Sequence, residues 1–303
     1  MNDNWIVTRR RFLGIAGTTA AGLLISPALF GNSSEKIRLR FGLLSDVHYA
    51  DRDPAGTRFY RQSLDKMKEC ITLMNQQKLG FIVELGDFKD QDAVPDEANT
   101  LNYLDKIEFA FRKFNGATYH VLGNHDMDGI SKQQFLDRVE NTGIPKDKSY
   151  YSFVNSGIRF IVLDGNFTKD GTAYDRGNFS WTDTFIPEEQ LNWLKAELNA
   201  DNQPAIVFIH QMLDDSLGEN RTVSNAKEVR NVLEENGNVQ CVFQGHVHEE
   251  HQSYINGIPY YSVKGMVDGD GKENNAYQIV SVLENGNILV DGYRRASTTS
   301  FNK

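Results

Sequence analysis

Short apolar runs that stop at metal-binding side-chain types recur five times in this chain, and no other feature narrows its possible folds as far. In chain order the stops are Asp46-Val47-His48, Gly86-Asp87, Gly123-Asn124-His125-Asp126, His210 and Gly245-His246-Val247-His248. The runs before them, residues 39–44, 81–85, 118–122, 205–209 and 239–243, are short and largely apolar, as strands buried on both faces are. Five of the seven histidines fall in these segments. Open α/β sheets place their binding sites just past the carboxyl ends of strands, where these residues lie. The glycines before Asp87, Asn124 and His246 suit sharp strand exits, where a side chain would obstruct the turn. A lone Asp-x-His, or one histidine after a strand, is more often a hydrogen-bonded structural residue. Five such segments in one chain, each at a strand end, point to a shared site.

Helical spacing fills the gaps in the first half. Residues 58–76 bring Leu64, Met67, Ile71 and Met74 to one face, and residues 101–114 do the same with Leu104, Ile107, Phe111 and Phe114. This β-α-β-α-β order calls for a largely parallel sheet with helices on its faces. The second half is richer in strands. Residues 150–154 and 159–163 read as a hairpin across Asn155-Ser156-Gly157, and a helix runs from Pro187 to about Leu198 with acids in its first turn. Residues 254–261 and a pair around the Asn-Gly turn at 284–287 are expected to complete a second sheet. Without an internal repeat or a linker, residues 37–295 read as one domain. Residues 165–184 lack periodicity and are long for a loop, a property of functional or mobile segments.

Composition removes several function classes. The 303 residues carry a net charge of −9, which disfavours a nucleic-acid backbone or an anionic membrane surface as the main partner. The two cysteines, Cys70 on a helix and Cys241 in a strand, read as packing residues and exclude a disulfide framework. At the N-terminus, Thr8-Arg9-Arg10-Arg11-Phe12-Leu13 precedes an uncharged, weakly apolar stretch over residues 14–30. This arrangement resembles a bacterial twin-arginine signal, so residues 1–30 are expected to direct the protein to the periplasm or otherwise out of the cytoplasm. Pro27 argues against a stable spanning helix, the alternative being a retained anchor. Cleavage near Ser26-Pro27-Ala28 would remove three arginines and one aspartate, taking the net charge to about −11.

The ordered motif set, from Asp46-x-His48 to His246-x-His248, resembles the calcineurin-like metallophosphoesterase superfamily over residues 41 to about 261. That resemblance implies an α/β fold, a four-layer α/β/β/α sandwich of two mixed sheets flanked by helices. It implies two divalent ions, with manganese, iron and zinc the leading candidates. One would be held by Asp46, His48, Asp87 and His248, the other by Asp87, Asn124, His210 and His246, with Asp87 shared. His125 would be the donor beside the leaving group, and Asp126 would orient it. Such ion pairs neutralise a phosphate ester and acidify a bridging water, whose hydroxide attacks phosphorus directly. The implied function is an exported phosphoester hydrolase of small phosphorylated substrates.

Tyr49-Ala50-Asp51 and Arg58-Phe59-Tyr60-Arg61-Gln62-Ser63-Leu64 are similar to the text of the manganese-dependent ADP-ribose/CDP-alcohol diphosphatases, a branch acting on nucleotide pyrophosphates. Gly292-Tyr293-Arg294-Arg295 matches that branch only loosely, and its members are not typically exported. Arg58 and Arg61 are thus candidate contacts to a second phosphate, and Trp181 in the long loop a candidate stacking surface for base or sugar. A phosphomonoesterase is the alternative, and a non-catalytic scaffold on the same fold a weaker one.

Overall fold

Branched and aromatic side chains occupy both faces of the apolar runs, and both faces are covered in the computed structural model, which describes residues 36–302. The expected export signal lies outside the described residues. Strand β1 (Ile37–Leu44) pairs in parallel with β2 (Phe81–Glu84), and β2 with β3 (Ala117–His120). The crossovers are helices α1 (Ser63–Asn75) and α2 (Glu97–Phe111). They pack Met67, Ile71, Met74, Leu104, Ile107 and Phe111 onto the outer face of this sheet. Helix α2 begins where the Asp96 side chain accepts the Asn99 N–H at 2.8 Å, satisfying a free donor of the first turn.

The second sheet starts with the expected hairpin, β4 (Tyr151–Asn155) and β5 (Ile158–Val162). It continues in parallel through β6 (Ala205–Ile209), β7 (Val239–Gln244) and β9 (Ile258–Ser262), with β8 (His251–Ile255) antiparallel at the edge. Helices α4 (Glu188–Leu198) and α5 (Ala226–Asn236) cover its outer face through Leu194, Leu198, Val229 and Leu233. Aromatic rings fill the space between the sheets. Phe41 stacks on Phe81 at 4.9 Å and meets Phe160, Phe208 and Phe243 edge-on. The result is helices, sheet, sheet, helices, the expected four layers. Cys70 and Cys241 are both buried and free.

The structure differs from the sequence reading in four places. The pair around the Asn-Gly turn, β10 (Ala276–Leu283) and β11 (Ile288–Arg294), joins the first sheet, with β10 antiparallel to β1 and Phe41 opposite Val280. Alternation identifies a strand but does not say which sheet takes it, and β1 had an open side. A final strand, β12 (Thr299–Phe301), carries this sheet past residue 295. The first helix starts at Ser63, after a single 3-10 turn at Tyr60–Gln62, because residues 55–58 are drawn into backbone pairing with each other and with Asp268. Helix α5 and the short α3 (Lys132–Arg138) were not anticipated. Residues 165–184 contain no helix, and Tyr174 anchors them, fully buried with its hydroxyl donating to the Asp183 carbonyl at 2.8 Å. Among the described residues, no helix is long and apolar enough to cross a membrane.

Candidate metal centre

Strands β1, β2, β3, β6 and β7 end at the same edge of the sandwich, and the predicted residues follow them. Five leave their strands in the left-handed backbone region: Asp46 (φ 53°), His48 (44°), Asp87 (56°), His246 (71°) and His248 (58°). For a residue with a Cβ this conformation costs roughly 1–2 kcal/mol, and Asp, Asn and His tolerate it best. Backbone bonds between neighbouring exits hold it in place. The Asp46 N–H donates to the Gly86 carbonyl at 3.0 Å, and the His48 N–H to the Asp87 carbonyl at 2.8 Å. Gly123 must be glycine, since a Cβ there would stand 2.1 Å from the Asp87 nitrogen.

The histidine tautomers follow from their partners. His48 Nδ1 donates to Asp90 Oδ2 at 3.1 Å, His248 Nδ1 to Asp268 Oδ2 at 2.9 Å, and His210 Nδ1 to the Leu85 carbonyl at 2.8 Å. Each partner only accepts, so the Nδ1 positions carry the protons and the Nε2 atoms face inward. His48 Nε2 and His248 Nε2 then lie 3.2 Å apart, two lone pairs pointed at each other. His248 Nε2 is 3.4 Å from Asp46 Oδ1. Asp87 Oδ2 stands between the two halves, 3.4 Å from His48 Nε2 and 3.3 Å from His210 Nε2. Asp46 Oδ1, Asn124 Oδ1, His210 Nε2 and His246 Nε2 are buried without a hydrogen-bond partner. Converging lone pairs with no donor between them are what a cation requires, so the residues present fit a metal pair. Asp46, His48 and His248 form one group with ligand atoms within 4.8 Å of one another, and Asp87, His210 and His246 form another. Nitrogen and oxygen donors without thiolate suit first-row divalent ions.

Protonation preferences agree with the burial. Burial pushes His48 down to about 4 and His246 down to about 3, keeping both rings neutral. Burial also opposes charge on His210, but the Asp87 and Asp46 carboxylates outweigh it and pull the ring up to about 10. Burial works against ionised Asp87, yet His210, His125 and His48 hold its carboxyl well below the usual range. The carboxylates thus favour a positive charge beside His210 Nε2, the charge a bound cation would supply in place of a proton.

Among the other predicted residues, His125 and Trp181 line the cavity in front of the centre, about 1030 Å³ in volume, together with Arg58, Phe179 and Arg221. Arg58 Nη2 is 3.4 Å from His248 Nε2. Phe179 packs 5.3 Å from the His125 ring, and Trp181 6.2 Å from the His246 ring. Arg61 does not reach the cavity: the 3-10 turn directs it outward, half exposed, into ion pairs with Asp51 and Asp53. Asp126 is at the site but not on the His125 ring. Its carboxylate accepts the N–H groups of Asp87 (3.1 Å), Phe88 (2.9 Å) and Gly123 (2.8 Å), and so props the loops. The carboxylate near His125 Nδ1 is Asp128, at 3.5 Å, itself held by the buried Lys89. Asp90, Asp128 and Asp268 escaped the sequence reading. Asp90 and Asp128 stand three residues after Asp87 and His125, a spacing that could have flagged them, whereas Asp268 follows His248 by 20 residues with no local signal.

With this geometry in hand, the class follows. The calcineurin-like phosphoesterase family model matches residues 39–250. The chain belongs to this family of metal-dependent phosphoesterases. It is 26% identical over 268 residues to a manganese-dependent ADP-ribose/CDP-alcohol diphosphatase of Arabidopsis thaliana, covering 72% of this chain and 83% of the relative. A rice (Oryza sativa subsp. japonica) protein of the same name is 24% identical over 308 residues, covering 88% of this chain and 95% of the relative. Among solved structures, a dimetal phosphatase from Danio rerio superposes with a TM-score of 0.75 at 19% identity, covering 88% of this chain and 99% of that one.

Proposed function

We propose that this protein is an exported dinuclear hydrolase that splits the pyrophosphate of nucleotide-diphosphate compounds and works best with manganese. The observation that carries the substrate class is Arg58, whose guanidinium stands 3.4 Å from His248 Nε2 on the wall of a cavity of about 1030 Å³. A diphosphate presents two anionic groups, one for the centre and one for a guanidinium beside it. The names of the plant relatives favour the same substrates and the same metal.

In this reading, one ion is held by Asp46, His48, Asp87 and His248, and the other by Asp87, Asn124, His210 and His246. Such a pair, when bound, neutralises phosphate charge and makes a water acidic enough to react near neutral pH. The protein supplies the rest. Asp90, Asp268 and the Leu85 carbonyl keep the histidine protons on Nδ1. His125, steadied by Asp128, donates toward the oxygen of the departing group. Phe179 and Trp181 offer flat apolar surface to a base or sugar and shield that side from water.

The test compares ADP-ribose and CDP-choline with an aryl phosphate, using metal-free protein reconstituted with manganese, zinc or iron. Arg58→Ala is expected to raise KM for the diphosphates about 10- to 100-fold while sparing the aryl phosphate, the loss of a charge-assisted contact of ~1.5–3 kcal/mol. Turnover of the aryl phosphate alone would transfer the reading to a phosphomonoesterase. Metal binding without hydrolysis of any of them would favour a scaffold. Export rests on Arg9 and Arg10. Replacing both with lysine should leave unprocessed protein in the cytoplasm, and unchanged export would remove that part of the proposal.

A further inference from the structure

Helix α1 buries a lysine completely. Among the described residues, no carboxylate lies within ion-pair distance of Lys66, whose Nζ donates instead to the carbonyls of Met266 (2.9 Å), Asp268 (2.9 Å) and Gly269 (2.8 Å). The Val267 carbonyl is also near, at 3.4 Å. The Val267 carbonyl takes the Phe59 N–H at 3.0 Å, whereas those of Met266, Asp268 and Gly269 turn toward one point and repel each other unless a cation sits among them. The ammonium fills that place, although burial lowers its pKa to about 8.

The other side of the same segment grips one half of the centre. The Met266 and Val267 N–H groups donate to the carbonyls of Ser45 and Asp46, each at 3.0 Å. The Gly265 N–H donates to the His248 carbonyl at 3.1 Å. The Asp268 carboxylate accepts from His248 Nδ1 at 2.9 Å and from Thr57 Oγ1 at 2.7 Å. His210, on the other half, is oriented by the Leu85 carbonyl, which this segment does not touch.

Resting on the two-ion reading above, we infer that Lys66 is a positioning residue for the ion site built on Asp46 and His248. It acts by holding residues 266–269 in the one shape that keeps Asp268 on the His248 ring. Without the ammonium the carbonyls are free to rotate apart, Asp268 loses its register, and His248 Nε2 is no longer aimed.

The experiment titrates metal-free protein with Mn(II), reading both stoichiometry and affinity by calorimetry and the coupling between ions by electron paramagnetic resonance. The unmodified protein should bind two ions and give an exchange-coupled spectrum. Lys66→Met keeps the apolar stem and removes the donors. It should weaken one ion about 10- to 100-fold, leave the other within about threefold, and give an uncoupled Mn(II) signal at intermediate metal. Asp268→Asn should weaken the same ion, and the double variant should lose less than the product of the two single effects. Equal weakening of both ions, no weakening, or multiplicative losses would overturn the inference. If Lys66→Met does not fold, Lys66→Gln decides. Its shorter amide, with two N–H donors, cannot serve all three carbonyls, so a loss confined to one ion is expected and an unchanged pair of affinities counts against the role. A protein that binds no metal at all overturns the two-ion reading and this inference together, whereas two ions indifferent to Lys66 overturn this inference alone.

Discussion

Strands β2 and β3 carry two clusters of buried histidine and carboxylate, one just past their ends around Asp87 and one within them around His120. In the inner cluster, His120 Nε2 lies 3.1 Å from Glu108 Oε2 and Nδ1 lies 3.8 Å from Glu84 Oε2, with Phe88 and Phe111 packed 4.8 Å from the ring. Acid faces base there, and helix α2 closes the space. In the outer cluster, lone pair faces lone pair, the backbone is left-handed, and a cavity opens in front. The residue types are the same, but only the outer cluster leaves ligand atoms both converging and reachable. Missing hydrogen bonds do not separate the two, since His120 Nδ1 and Nε2 and the Glu84 oxygens lack partners as well. Convergence of lone pairs on an opening distinguishes a site from a strut, and composition alone does not.

Variants can pull the two clusters apart. The largest effect is expected at Asp87, whose Oδ2 stands between His48 Nε2 and His210 Nε2. Asp87→Asn should lower turnover roughly 10³-fold and abolish the rise in Tm that manganese produces in the unmodified protein, as activity assays and thermal melts with and without metal would record. Next, His125→Ala should lower kcat about 100-fold, with a larger loss for substrates whose departing group is more basic. An equal loss across a leaving-group series would remove His125 from the donor role. The inner cluster should behave in the opposite way. Glu108→Gln leaves His120 without its nearer partner and should cost about 3 kcal/mol in urea unfolding, with the manganese-induced rise in Tm retained.

The smallest expected effect is a pH dependence. Burial opposes charge on His120, but Glu108 and Glu84 outweigh it and raise the ring to about 9 from 6.5. Its contribution is therefore complete below about pH 6.5 and is lost as pH rises through 9. Stability should decline between pH 6.5 and 9 by on the order of 2 kcal/mol, and His120→Gln should flatten that decline. His48 and His246, lowered to about 4 and 3, contribute with the opposite sign, their share vanishing as pH falls below 6.5 through those values. An undiminished alkaline decline in His120→Gln would place its origin elsewhere.

The same contrast explains what was legible in the sequence. The outer cluster could be read because strand exits impose local rules: an apolar run, a glycine where backbones nearly touch, then a short polar residue that tolerates positive φ. His120 sits inside its strand and breaks none of those rules. Lys66 acts on Met266 across 200 residues of sequence and Asp268 on His248 across 20, through contacts that no local pattern encodes. Helices α3 and α5 went unread because their signals, the capping pair Ser131 and Gln134 and the spacing of Ala226, Val229 and Leu233, are faint in such short helices. Arg61 went astray for a geometric reason. The direction of a side chain near a helix start depends on where the first turn closes, and here a 3-10 turn precedes the helix.

The placement of β10 beside β1 also governs how the molecule can form. Strand β1 lies between β2 and a strand about 240 residues further along the sequence, with Ile37 opposite Leu283. A growing polypeptide can assemble β1, β2 and β3 early, but β1 keeps an exposed edge until residues 276–283 have been made. Contacts this distant in sequence slow the search for the native state, because a long loop must close before they contribute. Folding of this sheet therefore finishes only after residues 276–283 have been made, and a truncation that removes β10 leaves a half-built sheet prone to pair with its neighbours.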